Sequence, residues 1–235
     1  MRIAFGLVVV GALPIVAAAQ SNITPANRHS WSENAGWLTW RFGSTQGARM
    51  MPRFLAGFIW SENLGWINLG NGIVGPCGQY PAAASQSGSA FGVNLERDAG
   101  DPQGRRVLLT GYAWGENCGW INFGGGALAS PPLPAYIDTG GPGLLSGRLR
   151  GFAWSENEGW INLDVVTAGQ HAAFCYANCD GSGGSPALTA NDFQCFINRY
   201  ANQDADANCD GSTGTPCLTA NDFQCFLNAF AAGCS

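Results

Sequence analysis

The chain has 235 residues, 46% of them hydrophobic and 11% charged, with a formal net charge of −5. Lysine is absent and no segment interleaves basic with aromatic residues, which argues against nucleic acid or an anionic membrane as partner. Residues 1–170 balance ten Arg against ten Asp or Glu, whereas 171–235 carry six Asp against Arg199 alone, so the net charge sits in an acidic tail suited to cations.

Residues 1–20 read MRIAFGLVVVGALPIVAAAQ: one basic residue, Arg2, then an apolar run, then small residues ending in Ala17-Ala18-Ala19. That order predicts a secretory signal over 1–19 with an Ala-x-Ala cleavage site, and therefore a secreted or cell-surface protein. The run is short for a membrane span and no other run approaches spanning length, so no transmembrane segment is expected in the mature chain. Cysteine usage agrees with export. Seven of the nine Cys lie after residue 174, and an oxidising compartment favours disulfides over a thiolate metal cluster. The odd count leaves one thiol over, and the connectivity is open.

Residues 20–170 carry a repeated cassette. GFIWSENLGWINL at 57–69 returns as GYAWGENCGWINF at 111–123 and GFAWSENEGWINL at 151–163, with a looser copy, HSWSENAGWLTW, at 29–40. The flanks of each Glu-Asn-x-Gly are β-rich and the residues between are turn formers, which predicts a β-hairpin with a tight loop. AFGVNLER and PAYIDTG each supply an outer strand, so a repeat is an antiparallel meander of two or three strands. If Trp60 faces Trp66, Phe58 pairs with Asn68 on the Trp face, and Ile59, Ile67 and Leu69 point the other way. Trp114 with Trp120 and Trp154 with Trp160 follow suit. Both faces are then largely apolar, so the sheet is expected to be covered on both sides or stacked on neighbouring repeats. The first tryptophans are 29, 54 and 40 residues apart, too irregular for a strict solenoid. A β-sandwich, a barrel-like roll and a small propeller all satisfy the pattern.

Each cassette carries a Glu immediately before its Asn: Glu33, Glu62, Glu116 and Glu156. A glycosidase needs two carboxylates in different environments, which a device duplicated in every repeat does not supply. Turn-locking is the favoured role: Asn63, Asn117 and Asn157 close the turn, Gly65, Gly119 and Gly159 take the strained position, and Glu accepts backbone N–H bonds. No nucleophile elbow, zinc-protease or phosphate-loop motif occurs, and His29 and His171 read as surface residues, so the chain is not expected to be an enzyme. Of the two body cysteines, Cys77 and Cys118, either the pair forms a bridge or one is the unpaired thiol. The tryptophan cassettes resemble repeats in bacterial exported and surface proteins, a resemblance that implies location and no activity.

The tail reads YANCDGSGGSPALTANDFQCFINR at 176–199 and DANCDGSTGTPCLTANDFQCFLNA at 206–229, a period of 30 residues. Asp206, Asn208 and Asp210 alternate, with Gly211 next, an arrangement that lets oxygen ligands wrap one hard cation, and Asp222 closes the shell from the following helix. Thr189-x-x-Asp192 and Thr219-x-x-Asp222 also fit the capping box, and Asn-x-Asp-Gly is ordinary turn chemistry. Phe193, Phe196, Ile197 and Tyr200, like Phe223, Phe226, Leu227 and Phe230, follow helical spacing and read as core.

These two copies resemble the duplicated calcium loop–helix unit of type I dockerins, and more narrowly the GC-type dockerin domain, over about 60 residues. The resemblance implies Ca²⁺ ligands at Asp206, Asn208, Asp210, Thr219 and Asp222, and at Asn178, Asp180, Thr189 and Asp192 in the first loop. It also implies recognition positions at Ala190-Asn191 and Ala220-Asn221. Two departures matter: Tyr176 stands where the second loop has Asp206, and Asp206 to Asp222 spans 17 residues against the 12 of a standard loop. Cys179 with Cys195 and Cys209 with Cys225 are equivalent pairs, expected to bond within each repeat.

The expected protein is therefore mostly antiparallel β over 20–170, with a small, α-helical, disulfide-rich, EF-hand-like domain over 171–235. Its expected role is non-catalytic: an interaction surface docked through the tail to a cohesin-like or cell-envelope partner. The alternative is a carbohydrate-binding module or an accessory of polysaccharide degradation, because exposed Trp faces stack on sugars. A solvent-exposed coplanar Trp row favours that alternative, and a cleft with two converging carboxylates from different repeats would mark a hydrolase.

Overall fold

The computed structural model describes residues 21–43, 46–70, 91–140, 146–166 and 170–234; the expected signal, Cys77 and the GPCGQY loop lie outside them. Four long runs of strand organise the molecule: β1 (Ile23–Ser32), β5 (Phe54–Ser61), β8 (Arg106–Gly115), and β11 (Ser146–Arg150) continued by β12 (Phe152–Ser155). Each enters a Glu-Asn-x-Gly turn and returns as a four-residue strand: β2 (Gly36–Thr39), β6 (Gly65–Asn68), β9 (Gly119–Asn122) and β13 (Gly159–Asn162). The hairpin register is the one the Trp spacing predicts, with Trp60 opposite Trp66, Ile59 opposite Ile67 and Phe58 opposite Asn68.

Each return strand also pairs with the next long strand: β2 with β5, β6 with β8, β9 with β12, and β13 with β1. The last pairing closes the ring, so the four hairpins form an eight-stranded antiparallel barrel with approximate four-fold symmetry. Away from the turns, four other strands fill the gaps between the same long strands. These are β4 (Gln46–Met50) on β5, β7 (Val93–Arg97) between β5 and β8, β10 (Tyr136–Asp138) between β8 and β11, and β14 (Ala172–Cys175) between β11 and β1. β4 also pairs with the two-residue β3 (Arg41–Phe42). The seam between β1 and β4 is stitched by the Asn22 side chain, which donates to Met50 O at 2.7 Å and accepts from Met50 N at 2.8 Å.

The change of neighbour happens three residues before the first Trp. There Gly57, Gly111 and Gly151 adopt φ of +85°, +88° and +77°. A Cβ on Gly57 or Gly151 would run into the carbonyl of Gly47 or Pro134. Opposite each bend, the residue three positions after the second Trp donates its N–H back to the bend: Trp40 to Arg28, Leu69 to Gly57, Phe123 to Gly111 and Leu163 to Gly151, at 2.7–3.0 Å. Those four side chains are buried and fill the middle of one core that also holds Ile59, Ile67, Ile121 and Ile161 from the hairpins. The connectors after them differ in length, which accounts for the uneven repeat interval.

The expectation that both faces are covered does not hold. The isoleucine face is inside the barrel, while Trp37, Trp66, Trp114 and Trp160 are 37–50% exposed on the outside. Each Trp instead shelters its cross-strand partner, with ring centroids 4.6–4.8 Å apart and planes inclined by 60–68°.

The tail forms α1 (Ala190–Ala201) and α2 (Ala220–Ala232), each opened by a complete capping box, Thr189 with Asp192 and Thr219 with Asp222. Phe196 and Phe226 stack at 4.1 Å between the helices. Disulfides join Cys179 to Cys195 and Cys209 to Cys225, as the spacing suggested, and Cys175 to Cys234. Cys217 is also disulfide-bonded. Cys118 is a free, buried thiol, so the bridge considered between it and Cys77 does not form. The helices are continuous with the barrel core, and β14 belongs to the sheet although it lies beyond residue 171. Among the described residues no helix is long and apolar enough to cross a membrane.

Candidate functional site

At the turn end, the cassette residues make a crown. Each Asn side chain donates its Nδ2 to the x-residue carbonyl of a neighbouring hairpin: Asn34 to Glu158, Asn63 to Ala35, Asn117 to Leu64 and Asn157 to Cys118, at 3.0–3.1 Å. The four bonds form a closed cycle. The Asn therefore staples neighbours together, and it is Ser32, Ser61 and Ser155 that close their own turns by accepting the N–H three residues on. Gly36, Gly65, Gly119 and Gly159 take φ between +68° and +73°, as the turn reading requires. The Glu reading is corrected: Glu33, Glu62, Glu116 and Glu156 are exposed, and among the described residues none donates to their side chains.

Ala35, Leu64 and Cys118, the x residues, are buried at this end of the barrel, and Glu158 is half-buried. In the third repeat Gly115 replaces the serine, and a Cβ there would collide with Cys118 Sγ. The thiol thus occupies room that a serine side chain takes elsewhere. Burial, reinforced by the negative charge of Glu158, pushes its pKa up to about 11.

Between the first and fourth hairpins lies a groove of about 810 Å³. Trp31, Trp154, Trp160 and Phe152 supply aromatic walls, and Pro131 and Leu133 from the loop after the short 3₁₀ turn Gly125–Leu128 form the outer lip. Glu33, Asn34, Glu158 and Asn162 line it as well. Glu33 and Glu158, from different repeats, both line this groove without contacting each other's side chain, and the Trp rings are inclined pairs wrapped around a barrel and not a coplanar row.

In the tail, Asp192 and Asp222 are fully buried, and each is a hub. Asp192 accepts from the backbone N–H of Thr189 at 2.8 Å and of Asp180 at 3.1 Å; Asp222 accepts in the same way from Thr219 and Asp210 at 2.7 and 3.1 Å. Beside them stand the carboxylates of Asp180 and Asp210. Burial raises the pKa of both hubs, the backbone donors oppose it, and the neighbouring carboxylate adds to it. Asn178 and Asn208 are buried at the same places, each donating to the carbonyl four residues on, Ser182 and Ser212. The Oδ1 of Asn178 and the Oγ of Ser182 are buried with no hydrogen-bond partner.

The structure thus brings together Asn178, Asp180, Thr189 and Asp192, and equivalently Asn208, Asp210, Thr219 and Asp222. It does not bring Asp206 to the second group. That carboxylate pairs with Arg49 at 3.3 Å, and desolvation moves its pKa up to about 6 in spite of the arginine. Tyr176, its counterpart, donates its hydroxyl to Asp206 O at 2.7 Å. Among the described residues there is no cluster of three or more His, Cys, Asp or Glu side chains, so any cation here needs amide, hydroxyl or carbonyl oxygens beside two carboxylates. An oxygen-only donor set of that kind suits a hard cation such as Ca²⁺ and does not suit a soft metal that prefers thiolate or imidazole. Arg41 Nη2 donates to Gly181 O at 2.9 Å and Arg53 Nη1 to Gly211 O at 2.7 Å, so barrel arginines hold equivalent glycines of the two loops.

No family model, curated protein or solved structure matches the chain.

Proposed function

We propose that this is a secreted or cell-surface, non-catalytic interaction protein whose C-terminal loops bind Ca²⁺ and present a docking face like that of the dockerins. The observation that carries the reading is the pairing of carboxylates, Asp180 against Asp192 and Asp210 against Asp222, beside a buried amide oxygen of Asn178 that lacks a donor. Two carboxylates held together repel each other, and a hard divalent ion at neutral pH would relieve that repulsion while also using the amide oxygen. Ala190-Asn191 and Ala220-Asn221 are exposed at the first turns of their helices and form the proposed contact with a cohesin-like or cell-envelope partner. The barrel contributes the exposed tryptophan surface.

Calorimetric titration of calcium into the oxidised full chain tests this. Asp180→Asn and Asp210→Asn should each remove one binding event, and the pair should remove both. Calcium at a hundredfold excess over Kd should stabilise the fold by about 2.7 kcal/mol per site. Absence of heat together with an unchanged Tm would leave the loops as capped turns held by disulfides.

A further inference from the structure

The proposal that the barrel is an interaction surface leaves open what it recognises, and the groove between the first and fourth hairpins narrows this. We propose that this groove is a binding site for a neutral glycan. It rests on the interaction reading of the barrel and is independent of calcium in the tail.

Three features single out this seam. Its walls are indoles that the barrel already holds in place: Trp154 is locked against Trp160 at 4.7 Å, and Trp31 against Trp37 at 4.8 Å. Its lip is built on backbone bonds, Leu133 N to Gly126 O at 2.8 Å and Phe152 N to Leu133 O at 3.1 Å, so the loop is fastened to the fourth hairpin. Gly125 packs against Trp154 so closely that a Cβ there would collide with the Cβ of Trp154. The groove is therefore pre-organised, and its volume lies inside the usual range for ligand sites, roughly 300–1,000 Å³.

The lining chemistry selects the occupant. Glu33, Glu158 and Asn34 line it together with the aromatic residues, and among the described residues no Arg, Lys or His does so. An acyl chain or an apolar helix would bury the carboxylates without partners, which is costly. An anionic ligand would meet two negative charges and, among the described lining residues, no compensating cation. A pyranose chain suits both parts, since its C–H faces cover the indoles while its hydroxyls donate to carboxylate and amide oxygens. Asn34 already commits its Nδ2 to Glu158 O, leaving its Oδ1 as an acceptor for such a hydroxyl.

The test uses the oxidised full chain with cello-, xylo-, manno- and N-acetylchito-hexaose, a galacturonate oligomer and an arginine-rich peptide, read by tryptophan fluorescence and calorimetry. A neutral hexasaccharide is expected to bind, with Trp160→Ala weakening it by about tenfold or more, as loss of an aromatic anchor does. Trp160→Phe should keep part of the affinity and the fold. Trp66→Ala, which removes an equally exposed indole on the second hairpin, should leave binding unchanged. The proposal is overturned if no neutral hexasaccharide binds at millimolar concentration, if only the peptide or the uronate binds, or if Trp66→Ala costs as much as Trp160→Ala. Calcium titration of the same samples reports the tail separately, so the two readings fail independently.

Discussion

Cys118 shows how one substitution inside a repeat is absorbed by its neighbour. Where three cassettes have Ser, the third has Gly115, and the sulfur of Cys118 fills the room gained. The count of nine cysteines made a leftover thiol legible in the sequence, but not which one, because Cys118 sits at a variable x position that looks solvent-facing in a turn. Barrel closure buries that position. With a pKa near 11, about one thiol in a thousand is ionised at pH 8, and the thiolate is the reactive form. The native protein should resist alkylation by iodoacetamide at pH 8 and react only after denaturation, or as the pH approaches 11. Rapid stoichiometric labelling of the native state at pH 8, mapped to Cys118 by mass spectrometry, would contradict the burial described.

At the scale of elements, the glycine bends decide how each long strand changes partners. Gly151 combines φ +77° with a close approach to the Pro134 carbonyl, whereas Gly140 has φ +71° and open space around it. Gly140→Ala should therefore cost only the left-handed strain, about 1 kcal/mol. Gly151→Ala should add a collision with backbone and cost several times as much, on the order of 3 kcal/mol. Urea midpoints compare the two, and equal losses would mean that the bend is not sterically tied. Strand positions and Trp register were legible because alternation is a local property with period two. Closure was not, since it depends on return strands pairing with the following repeat, and the apolar Trp face suggested a covering layer. The clue was the unchanging Asn of all four cassettes: its partner is a backbone carbonyl in a neighbouring hairpin, so the same contact recurs at every seam and does not depend on the variable side chains. In the tail, the capping boxes were readable because Thr-x-x-Asp is a local pattern, and Asp192 and Asp222 complete both of them. Asp206 was misleading in the same stretch, because its alternation with Asn208 and Asp210 gives no sign of Arg49, 157 positions earlier in the chain.

At the scale of the whole molecule, the tail shares one core with the barrel. β14 pairs with β1 and β11, Phe196 and Phe226 belong to the barrel's core, and Arg41 of β3, Arg49 of β4 and Arg53 just before β5 all reach to the tail. The Cys175–Cys234 disulfide then ties the end of the tail to β14 across a separation of 59 residues. A loop of that size reduces the freedom of the unfolded chain by about 4 kcal/mol. Because β14 lies between β11 and β1, loosening it exposes edges of the long strands that run on into the tryptophan-bearing hairpins. The Cys175→Ala/Cys234→Ala variant should therefore lose roughly 2–4 kcal/mol in one cooperative transition. Near-ultraviolet circular dichroism of the tryptophans and far-ultraviolet signal of the helices should shift to the same lower urea midpoint. A variant whose helices melt early while the tryptophan signal keeps its original midpoint would show two separable domains. In that case the arginine contacts are surface docking and the helices do not support the barrel. A shared midpoint would mean that whatever engages the tail, cation or partner, also acts on the stability of the tryptophan-bearing barrel, because mass action on one part of a two-state fold stabilises all of it.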